Sequence, residues 1–423
     1  HEPGDDARAV AIIERVLALQ LDAPGRPWDG TFARMAEDPP LRAGVQLWKD
    51  FDPNWRQFVG TTFVLILEQF ATDLPRDLAV RMERAIRRAV ESELSEGRAE
   101  PYHTNIALMH AFLLDWGGAR FAKPDWAKQS NEWADKIRSE FARHGTFEEY
   151  NSPTYYGVDL YSLALWRRYG STDHLREVGR ELEAALWRDI ATFYHPGLRN
   201  MCGPWDRAYG LDMRRYVSLT GIWMGLALPE NITPLPDPRG VMGHAHDFFV
   251  APAYVALGVV IPDSVLPALS RFGGERQVER SLAGERKATA WLGTDLMIGG
   301  EVTQLTREAG PGTAYGQFHP ATAHWQIAND NVGAIALVES PAVDAIAEER
   351  HLKIVTKRGT SRFRIAAGGM NQTNLSREQW DLPAMRVQIV TDAKDFSVLP
   401  GEGYVDVVYR DATGFDLRFS RTP

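Results

Sequence analysis

The sequence has few of the features that mark several large protein classes. Its only cysteine is Cys202, so no disulfide can form within the chain. No apolar run reaches the length of a membrane span. The formal net charge of -9 and the lack of a strongly basic segment argue against nucleic acid as the main partner. A phosphate-binding glycine loop, a Walker lysine motif and a G-x-S-x-G nucleophile motif are also missing.

Aromatic residues, in contrast, are plentiful. The chain has 13 Trp, 13 Tyr and 18 Phe among its 423 residues. A tryptophan ring packs well on the apolar face of a pyranose, so this composition suits carbohydrate binding as well as a packed core. The lack of disulfides fits the cytosol, but the sequence starts at His1 rather than at a methionine. We expect a secreted or periplasmic protein whose signal peptide precedes this sequence, and a cytoplasmic location stays open.

Apolar residues recur at helical spacing through most of the first 230 residues. Clear examples are residues 54–71, 77–94 and 104–116. Helices joined by short loops usually lie antiparallel to their neighbours, and a series of such hairpins can close into an (α/α) toroid. The sequence therefore predicts an incomplete helical barrel over residues 1–230, and we expect this to be the catalytic domain.

The pattern changes at a proline-rich segment that starts at residue 229. Residues 231–286 are predicted to be a linker with a connecting helix. From residue 287 onward, short alternating runs bounded by Gly, Asn and Asp predict an antiparallel β-sandwich over residues 287–423. The predicted fold is thus multidomain, with an α-helical toroid followed by a β-sandwich.

The segment EEYNSPTYYGVDLYSLAL, residues 148–165, gathers four tyrosines around a Ser-Pro turn. Tyr155 and Tyr156 lie at this turn, where a phenol can reach a ligand. Tyr161 shares an apolar helix face and is expected in the core. A carbohydrate site would use the rings and the hydroxyls together, whereas a packed core would use the rings alone.

The irregular segment FYHPGLRNMCGPWDRAYGLDMRRY, residues 193–216, lies between two predicted helices. Packing alone hardly explains a loop so dense in polar and aromatic groups, and we interpret it as the rim of an active site. The alternative is a structural network of Arg–Asp ion pairs that fixes the loop. An arginine cluster in this segment could bind an anionic substrate despite the negative net charge. Its members are Arg199, Arg207, Arg214 and Arg215.

Histidines suggest a metal site. His244 and His246 are followed by Asp247, a set that can ligate a divalent ion. His319 and His324 lie in the predicted β domain and could add ligands or line the domain interface. We expect no required cofactor. A divalent metal at these histidines would either be structural or neutralise the carboxylate of an acidic substrate.

The segment PYHTNIALMHAF places His103 and Asn105 at a predicted helix start. One interpretation is an ordinary helix cap. The other is that the Asn105 amide faces a cleft and hydrogen-bonds a substrate carboxylate without adding charge.

β-Elimination from a uronic acid is a reaction that would use these groups. The C5 proton must be removed, and the C4 oxygen must be protonated as it leaves. The adjacent carboxylate must be neutralised, because enolate-like charge builds there. Asn, Arg, His or a metal can neutralise the carboxylate, and Tyr or His can act as base or acid. A nearby Arg lowers the pKa of a Tyr from its usual value of about 10 and so favours a phenol base.

Two segments resemble motifs of the (α/α)-toroid polysaccharide lyases, the heparinase II/III-like and alginate lyase-like enzymes. TNIALMHAFLL resembles their helix that carries an Asn, often followed by His. GTFEEYNSPTYYGVDLYSL resembles their later segment of the form G-x-x-x-E-G-x-x-Y, which carries a catalytic Tyr. The resemblance implies β-elimination of a uronic-acid polysaccharide. Ile106 stands where many relatives carry His, so His103 or His195 would have to supply that imidazole.

The resemblance and the loop composition together assign roles. Tyr156, or else Tyr209, is predicted to be the acid and also a candidate base, with His195 as the alternative base. Asn105, helped by Arg207 or Asn151, is predicted to neutralise the carboxylate. The predicted substrate-binding residues are His103, Asn151, Tyr155, Arg199, Trp205 as a sugar platform, and Arg207.

A glycoside hydrolase is the main alternative, because (α/α) toroids also host inverting hydrolases. Such an enzyme needs two carboxylates about 6.5–9.5 Å apart. A non-catalytic carbohydrate-binding protein is the third interpretation. In each case the expected partner is a polysaccharide or oligosaccharide, and the arginine cluster predicts that it is anionic. The available carboxylates are Glu148, Glu149, Asp206 and Asp212.

Overall fold

The computed structural model describes residues 4–42, 44–310, 316–328, 331–370 and 372–422. Helices dominate the first half of these residues. They are α1 (Asp5–Ala18), α2 (Trp55–Phe70), α3 (Arg76–Glu96), α4 (Thr104–Arg120), α5 (Pro124–His144), α6 (Tyr155–Tyr169), α7 (Asp173–Phe193), α8 (Leu219–Gly225), α9 (Ala251–Leu257) and α10 (Leu266–Ser270).

Strands dominate the second half, after a short hairpin that follows α7. They are β1 (Tyr194–His195), β2 (Asn200–Met201), β3 (Arg276–Ser281), β4 (Lys287–Leu292), β5 (Leu296–Val302), β6 (Ala321–Gln326), β7 (Val332–Glu339), β8 (Val343–Glu348), β9 (His351–Ala366), β10 (Gln379–Leu382), β11 (Met385–Thr391), β12 (Asp395–Gly401) and β13 (Tyr404–Arg421). The predicted order of a helical half and an antiparallel β half is confirmed. A search of the described helices finds no segment that is both long and apolar enough to span a membrane.

The chain divides into two compact units, which are described separately. Unit 1 comprises the described residues of His1–Glu140 together with Tyr161–Leu182, and unit 2 comprises those of Phe141–Leu160 and Glu183–Pro423. Helices α5, α6 and α7 each contribute residues to both units. The domain boundaries predicted at residues 230 and 286 stay a prediction.

Unit 1 is built from helices whose apolar residues recur every three or four positions. In α3, for example, Leu78, Met82 and Ile86 are fully buried on one face. Burial of side chains of this size contributes about 1.5–3 kcal/mol each. Helix α3 ends at Gly97, whose φ of 62° is the left-handed conformation that terminates many helices. Helices α2, α3 and α4 pack against one another through such faces, as expected for consecutive hairpins.

Unit 2 contains one continuous antiparallel sheet. Its strand order is β10-β11-β13-β9-β7-β6-β5-β4-β3, with β12 also paired to β13 and β8 to β9. The pairing of β9 with β13 shifts register between Tyr409 and Gly414, and bulges of this kind bend a sheet. Strand β8 returns over β4 and β5, where the Ala347 amide donates to Thr289 Oγ1 at 2.8 Å. The sheet therefore folds over itself into two layers, with β8 in one and β4 and β5 in the other. The buried side chains between the layers form an apolar core, as predicted for a sandwich.

The secondary structure differs from the sequence prediction in three places. The apolar spacing of RRYVSLTGIWMGLAL predicts a helix over residues 214–228, but only Leu219–Gly225 form α8. Strand β3 lies inside the predicted linker, because Arg276–Ser281 has a single apolar residue and no alternating pattern to detect. The sequence predicts two separate strands, HLKIVTKRG and SRFRIAAGG, because Gly359 is a turn signal, yet β9 continues through this glycine.

Candidate functional site

A cavity of about 570 Å³ lies within unit 2 and is the strongest candidate site. We call it the Tyr209 cavity. Three separate parts of the sequence meet at it, namely the irregular loop after α7, the histidine-rich loop near residue 244 and the β domain. Its described lining residues are Ala208, Tyr209, Gly210, Leu211, His244, Gly316, Gln317, His319, Val338, Glu339, Arg362 and Arg364.

Backbone hydrogen bonds hold Tyr209 against the β domain. The Trp205 amide donates to the His319 carbonyl at 3.2 Å, and the His319 amide donates back to the Trp205 carbonyl at 2.9 Å. The Ala208 amide donates to the Gln317 carbonyl at 2.9 Å. These bonds form a short antiparallel pairing, which fixes the backbone that precedes Tyr209.

A chain of polar contacts connects the two tyrosine-bearing segments. The hydroxyls of Tyr155 and Tyr209 lie 2.8 Å apart, and either can be the donor. Arg207 donates from Nη2 to the Tyr155 hydroxyl, and its guanidinium lies 3.6 Å from the centroid of the Tyr155 ring. Burial raises the pKa of Tyr155, although Arg207 acts in the opposite direction. Tyr155 is therefore a neutral phenol whose hydroxyl is hydrogen-bonded to both Arg207 and Tyr209.

Arg207 is fixed by two further partners. Its Nη1 donates to Glu149 Oε1 at 2.6 Å, and its Nε donates to Gln317 Oε1 at 2.8 Å. Burial is the largest effect and lowers the pKa of Arg207, but Glu149, Tyr155 and Tyr209 together outweigh it and the net shift is upward. The guanidinium is thus permanently charged and points three hydrogen-bond donors in set directions.

His319 brings a neutral imidazole to the same cavity. Its side chain is buried, and Nδ1 has no hydrogen-bond partner among the described residues. Burial lowers the pKa of His319 to about 4, against the opposing effect of backbone hydrogen bonds at Ala208 and Leu337. At neutral pH this buried imidazole is uncharged.

Strand β9 supplies positive charge. Arg362 and Arg364 are two positions apart, so both side chains lie on the same face of the strand. Arg362 Nε donates to Glu339 Oε2 at 2.8 Å, and Arg364 makes two hydrogen bonds with Asp406, at 2.8 and 2.9 Å. Each guanidinium keeps further donors beyond these contacts, which suits the binding of a carboxylate.

His244 stacks on Tyr209. The ring centroids are 4.6 Å apart and the planes are 13° from parallel. His246 and Asp247 lie beside His244, and the three residues can present ligand atoms within 4.8 Å of one another. This grouping is compatible with the metal-binding role predicted for His244 and His246, which stays a prediction.

Tyr156 and Asn151 are buried outside the described lining of the cavity. The Tyr156 hydroxyl accepts from the Asn151 amide at 2.8 Å, contacts Thr146 Oγ1 at 2.5 Å and donates to Asp189 Oδ2 at 2.9 Å. Burial raises the pKa of Tyr156 well above its usual value, and Asp189 raises it further. Asn151 Nδ2 donates to the carbonyls of Cys202 and Pro204, at 2.6 and 3.0 Å. Both side chains therefore hold the loop in place, and the catalytic role predicted for Tyr156 and the substrate-binding role predicted for Asn151 stay predictions.

His195 is also held by structural contacts. Its Nδ1 accepts from the Leu198 amide at 3.0 Å, and its Nε2 lies 3.0 Å from the Gly293 carbonyl. The ring stacks on Phe272. Burial lowers the pKa of His195 to about 4. Both ring nitrogens thus have hydrogen-bond partners, and the role of His195 as a base stays a prediction.

Trp205 and Arg199 lie elsewhere in unit 2. Trp205 is 1% exposed and packs against the rings of His319 and His324, so it offers no free face to a sugar. Arg199 donates to the carbonyl of Thr233 at 3.0 Å and lines a second cavity of about 860 Å³, together with Arg214 and Arg215.

Asn105 and His103 belong to unit 1. Asn105 is buried in the first turn of α4, and His103 directly precedes this helix and is partly exposed. Their predicted roles in carboxylate binding stay predictions.

Four functional candidates were not predicted as such from the sequence: Gln317, Glu339, Arg362 and Arg364. Charged residues that alternate with apolar ones on a strand usually indicate a solvent-facing surface. The repeated arginines in SRFRIA, residues 361–366, were the one available signal, because period-two spacing places both on one face.

The fold and the cavity define a protein with a helical part, an antiparallel β part and a polar, arginine-lined site. The chain belongs to the family described as "Domain of unknown function (DUF8769)", whose model matches residues 1–259. A second model, "Domain of unknown function (DUF8770)", matches residues 278–409. Each of the two family models thus contributes residues to the Tyr209 cavity, since Tyr209 lies in the first match and Arg362 in the second.

Comparisons with other proteins add little to this. None of the curated proteins that were searched matches the chain. Among solved structures, an endoglucanase, CelQ from Clostridium thermocellum complexed with cellotetraose, is 11% identical, with a TM-score of 0.20 over 88% of this chain and 84% of that one. A likeness at this level carries no argument, so the function is argued from the residues of the site.

Proposed function

We propose that this protein is an enzyme that cleaves a uronic-acid-containing polysaccharide by β-elimination in the Tyr209 cavity. The observation that supports this most directly is the hydrogen bond between Tyr209 and Tyr155, which is backed by the Arg207 guanidinium. Around this phenol, the cavity gathers a neutral imidazole and two further guanidiniums. These are the groups that the reaction needs.

Carboxylate binding is assigned to Arg362, with Arg364 and Gln317 beside it. As the C5 proton leaves, negative charge spreads onto the substrate carboxylate, and fixed positive donors stabilise that charge. Because Arg362 and Arg364 are anchored by Glu339 and Asp406, the donors are positioned before the substrate binds. This arrangement also favours an anionic polymer over a neutral one.

Acid–base chemistry is assigned to Tyr209 and His319. The base removes the proton from C5, the C4–O bond breaks as a double bond forms between C4 and C5, and the departing oxygen receives a proton. Tyr209 is proposed to donate that proton, after which the Tyr155 hydroxyl can donate to the phenolate oxygen and stabilise it. His319 is proposed as the base, because it is neutral and its Nδ1 is unpaired. Of the two tyrosines predicted from the sequence, the proposal thus uses Tyr209, and it uses His319 rather than His195 as the base.

The glycoside hydrolase alternative is less well supported by the contacts. Glu339 is the one carboxylate among the described lining residues, and Arg362 pairs with it. The four carboxylates proposed from the sequence all form ion pairs with arginine: Glu148 with Arg286, Glu149 with Arg207, Asp206 with Arg286 and Arg307, and Asp212 with Arg214 and Arg215.

The experiment is a digest of glucuronan, alginate, heparan- and chondroitin-type chains and pectate, followed by ultraviolet absorbance and by an assay for reducing ends. A rise in absorbance on one polymer supports elimination, because the product carries an unsaturated uronate. New reducing ends without a rise in absorbance would overturn it in favour of hydrolysis. A polymer is too large to enter the cytoplasm, so we also propose that the protein is secreted or periplasmic.

A further inference from the structure

Backbone hydrogen bonds fix the loop that contains His244, His246 and Asp247. The Gly243 amide donates to the Arg215 carbonyl, and the Val217 amide donates to the Gly243 carbonyl, each at 2.9 Å. The Asp247 amide then donates to the His244 carbonyl at 2.9 Å, which closes a turn.

The His244 ring is oriented by its neighbours. The backbone of His244 has a φ of 53°, the left-handed conformation that is uncommon for residues other than glycine. Its ring stacks on Tyr209 and meets the edge of Tyr216 at a centroid distance of 6.4 Å. A strained backbone and a fixed ring together indicate that the direction of this imidazole matters.

The polar atoms of the three side chains are close enough to share an ion, because one ligand atom from each lies within 4.8 Å of the others. His244 Nδ1 lies 3.4 Å from Asp247 Oδ2, and His246 Nε2 lies 3.4 Å from Asp247 Oδ1. Neither His244 Nδ1 nor Asp247 Oδ2 has a hydrogen-bond partner among the described residues. Zinc bonds of about 2.0–2.2 Å in a tetrahedron place ligand atoms about 3.4 Å apart.

We propose that His244, His246 and Asp247 bind one divalent transition-metal ion of the zinc type. Two imidazoles and one carboxylate favour zinc and its neighbours in the series over magnesium or calcium, which prefer oxygen ligands. Three protein ligands leave the fourth tetrahedral position open to water or to a ligand oxygen. Because His244 also lines the Tyr209 cavity, the ion lies at the edge of that cavity. The binding itself does not depend on the reaction proposed above.

The test is calorimetric titration of zinc into protein that carries no histidine tag and has been treated with a chelator. The wild-type chain is expected to bind one ion, and His246→Ala and Asp247→Asn to bind it about tenfold more weakly or less. His246 is 75% exposed, so its replacement should leave folding intact. His174→Ala is the matched control, because His174 lies in unit 1 beside Asp135 and should leave the titration unchanged.

Cobalt gives an independent readout, since four-coordinate Co²⁺ absorbs visible light far more strongly than the hydrated ion. We expect this absorption in the wild-type chain and in His174→Ala, and its loss in His246→Ala. Wild-type affinity for zinc in both ligand variants would overturn the proposal, as would displacement of zinc by an equal concentration of magnesium. Failure of the wild-type chain to bind zinc would overturn it as well, whatever the polymer digests show.

Discussion

The Tyr155 hydroxyl lies 2.8 Å from the Tyr209 hydroxyl, although 54 residues separate the two tyrosines in the chain. The first tyrosine starts α6, and the second lies in the irregular loop after α7. Ser152 ties these segments together, because its Oγ accepts from the Tyr155 amide at 2.9 Å and donates to the Arg207 carbonyl. The contact between the phenols is therefore part of a fixed framework, and it places one of them at a cavity.

Replacement of Tyr209 by Phe removes the proposed acid and leaves the ring that stacks on His244. We expect kcat on the cleaved polymer to fall by about 100-fold or more, the usual effect of losing a general acid, with little change in KM. Steady-state kinetics measure this. Tyr102→Phe is the control, since Tyr102 is 60% exposed in unit 1. A Tyr209→Phe enzyme with wild-type kcat would remove Tyr209 from the mechanism.

Replacement of Tyr156 by Phe is expected to lower the stability of the protein rather than its activity. The change leaves the buried Asn151 amide without its acceptor and removes one of the two hydroxyls that donate to Asp189 Oδ2, where Thr146 Oγ1 stays as a donor. An unsatisfied buried amide costs about 1–3 kcal/mol. Urea denaturation should show a lower free energy of unfolding, while kcat of the folded protein stays near wild type. If the variant were as stable as wild type but inactive, the assignment of Tyr156 to a structural role would be wrong.

Replacement of Arg362 by Gln tests carboxylate binding. Loss of a charge-assisted hydrogen bond costs about 1.5–3 kcal/mol, so kcat/KM on an anionic polymer should fall by about 10- to 100-fold. The matched control is Arg358→Gln on the same strand, because Arg358 is 55% exposed and pairs with Asp411 outside the described cavity lining. Equal losses in the two variants would show that general surface charge, rather than the cavity, binds the polymer.

Buried neutral histidines predict a stability that depends on pH. Burial lowers the pKa of His110, His195 and His319 to about 4 each, whereas an unfolded chain has a value of about 6.5. Between these values the unfolded state binds more protons, so stability is lost as the pH falls from about 6.5 to 4. Each histidine contributes up to about 3 kcal/mol to this loss.

His195→Gln isolates one of these contributions. The variant should be less stable at pH 7, because two hydrogen bonds are perturbed, but its free energy of unfolding should change less steeply between pH 6.5 and 4. Denaturation at a series of pH values measures the slope, with His174→Gln as a partly exposed control. An unchanged slope would mean that His195 is not kept neutral by burial.

The sequence predicts the helices and strands well where periodicity is strong. Helix α3 shows its buried face in the spacing of Leu78, Met82 and Ile86, and β8 alternates buried and exposed positions. Strand β9 was split at Gly359 because local turn signals do not report pairing with a distant strand. That pairing is a tertiary feature, and no local pattern carries it.

The candidate site was predicted in part. Composition drew attention to Tyr155, Arg207 and Tyr209, but it could not tell which of two adjacent tyrosines faces inward. Neighbouring residues on a helix point about 100° apart, so Tyr155 joins the Arg207 network while Tyr156 enters the core. Arg362 and Arg364 were missed because the topology of the sheet, rather than the chain near Tyr209, brings them to the cavity.

The mass of the products tests the central claim most directly. A digest of the responsive polymer should give oligosaccharides that are one water molecule lighter than hydrolysis products. The same digest with Tyr209→Phe should give almost none. Products that carry the full water would contradict elimination and make the protein a hydrolase.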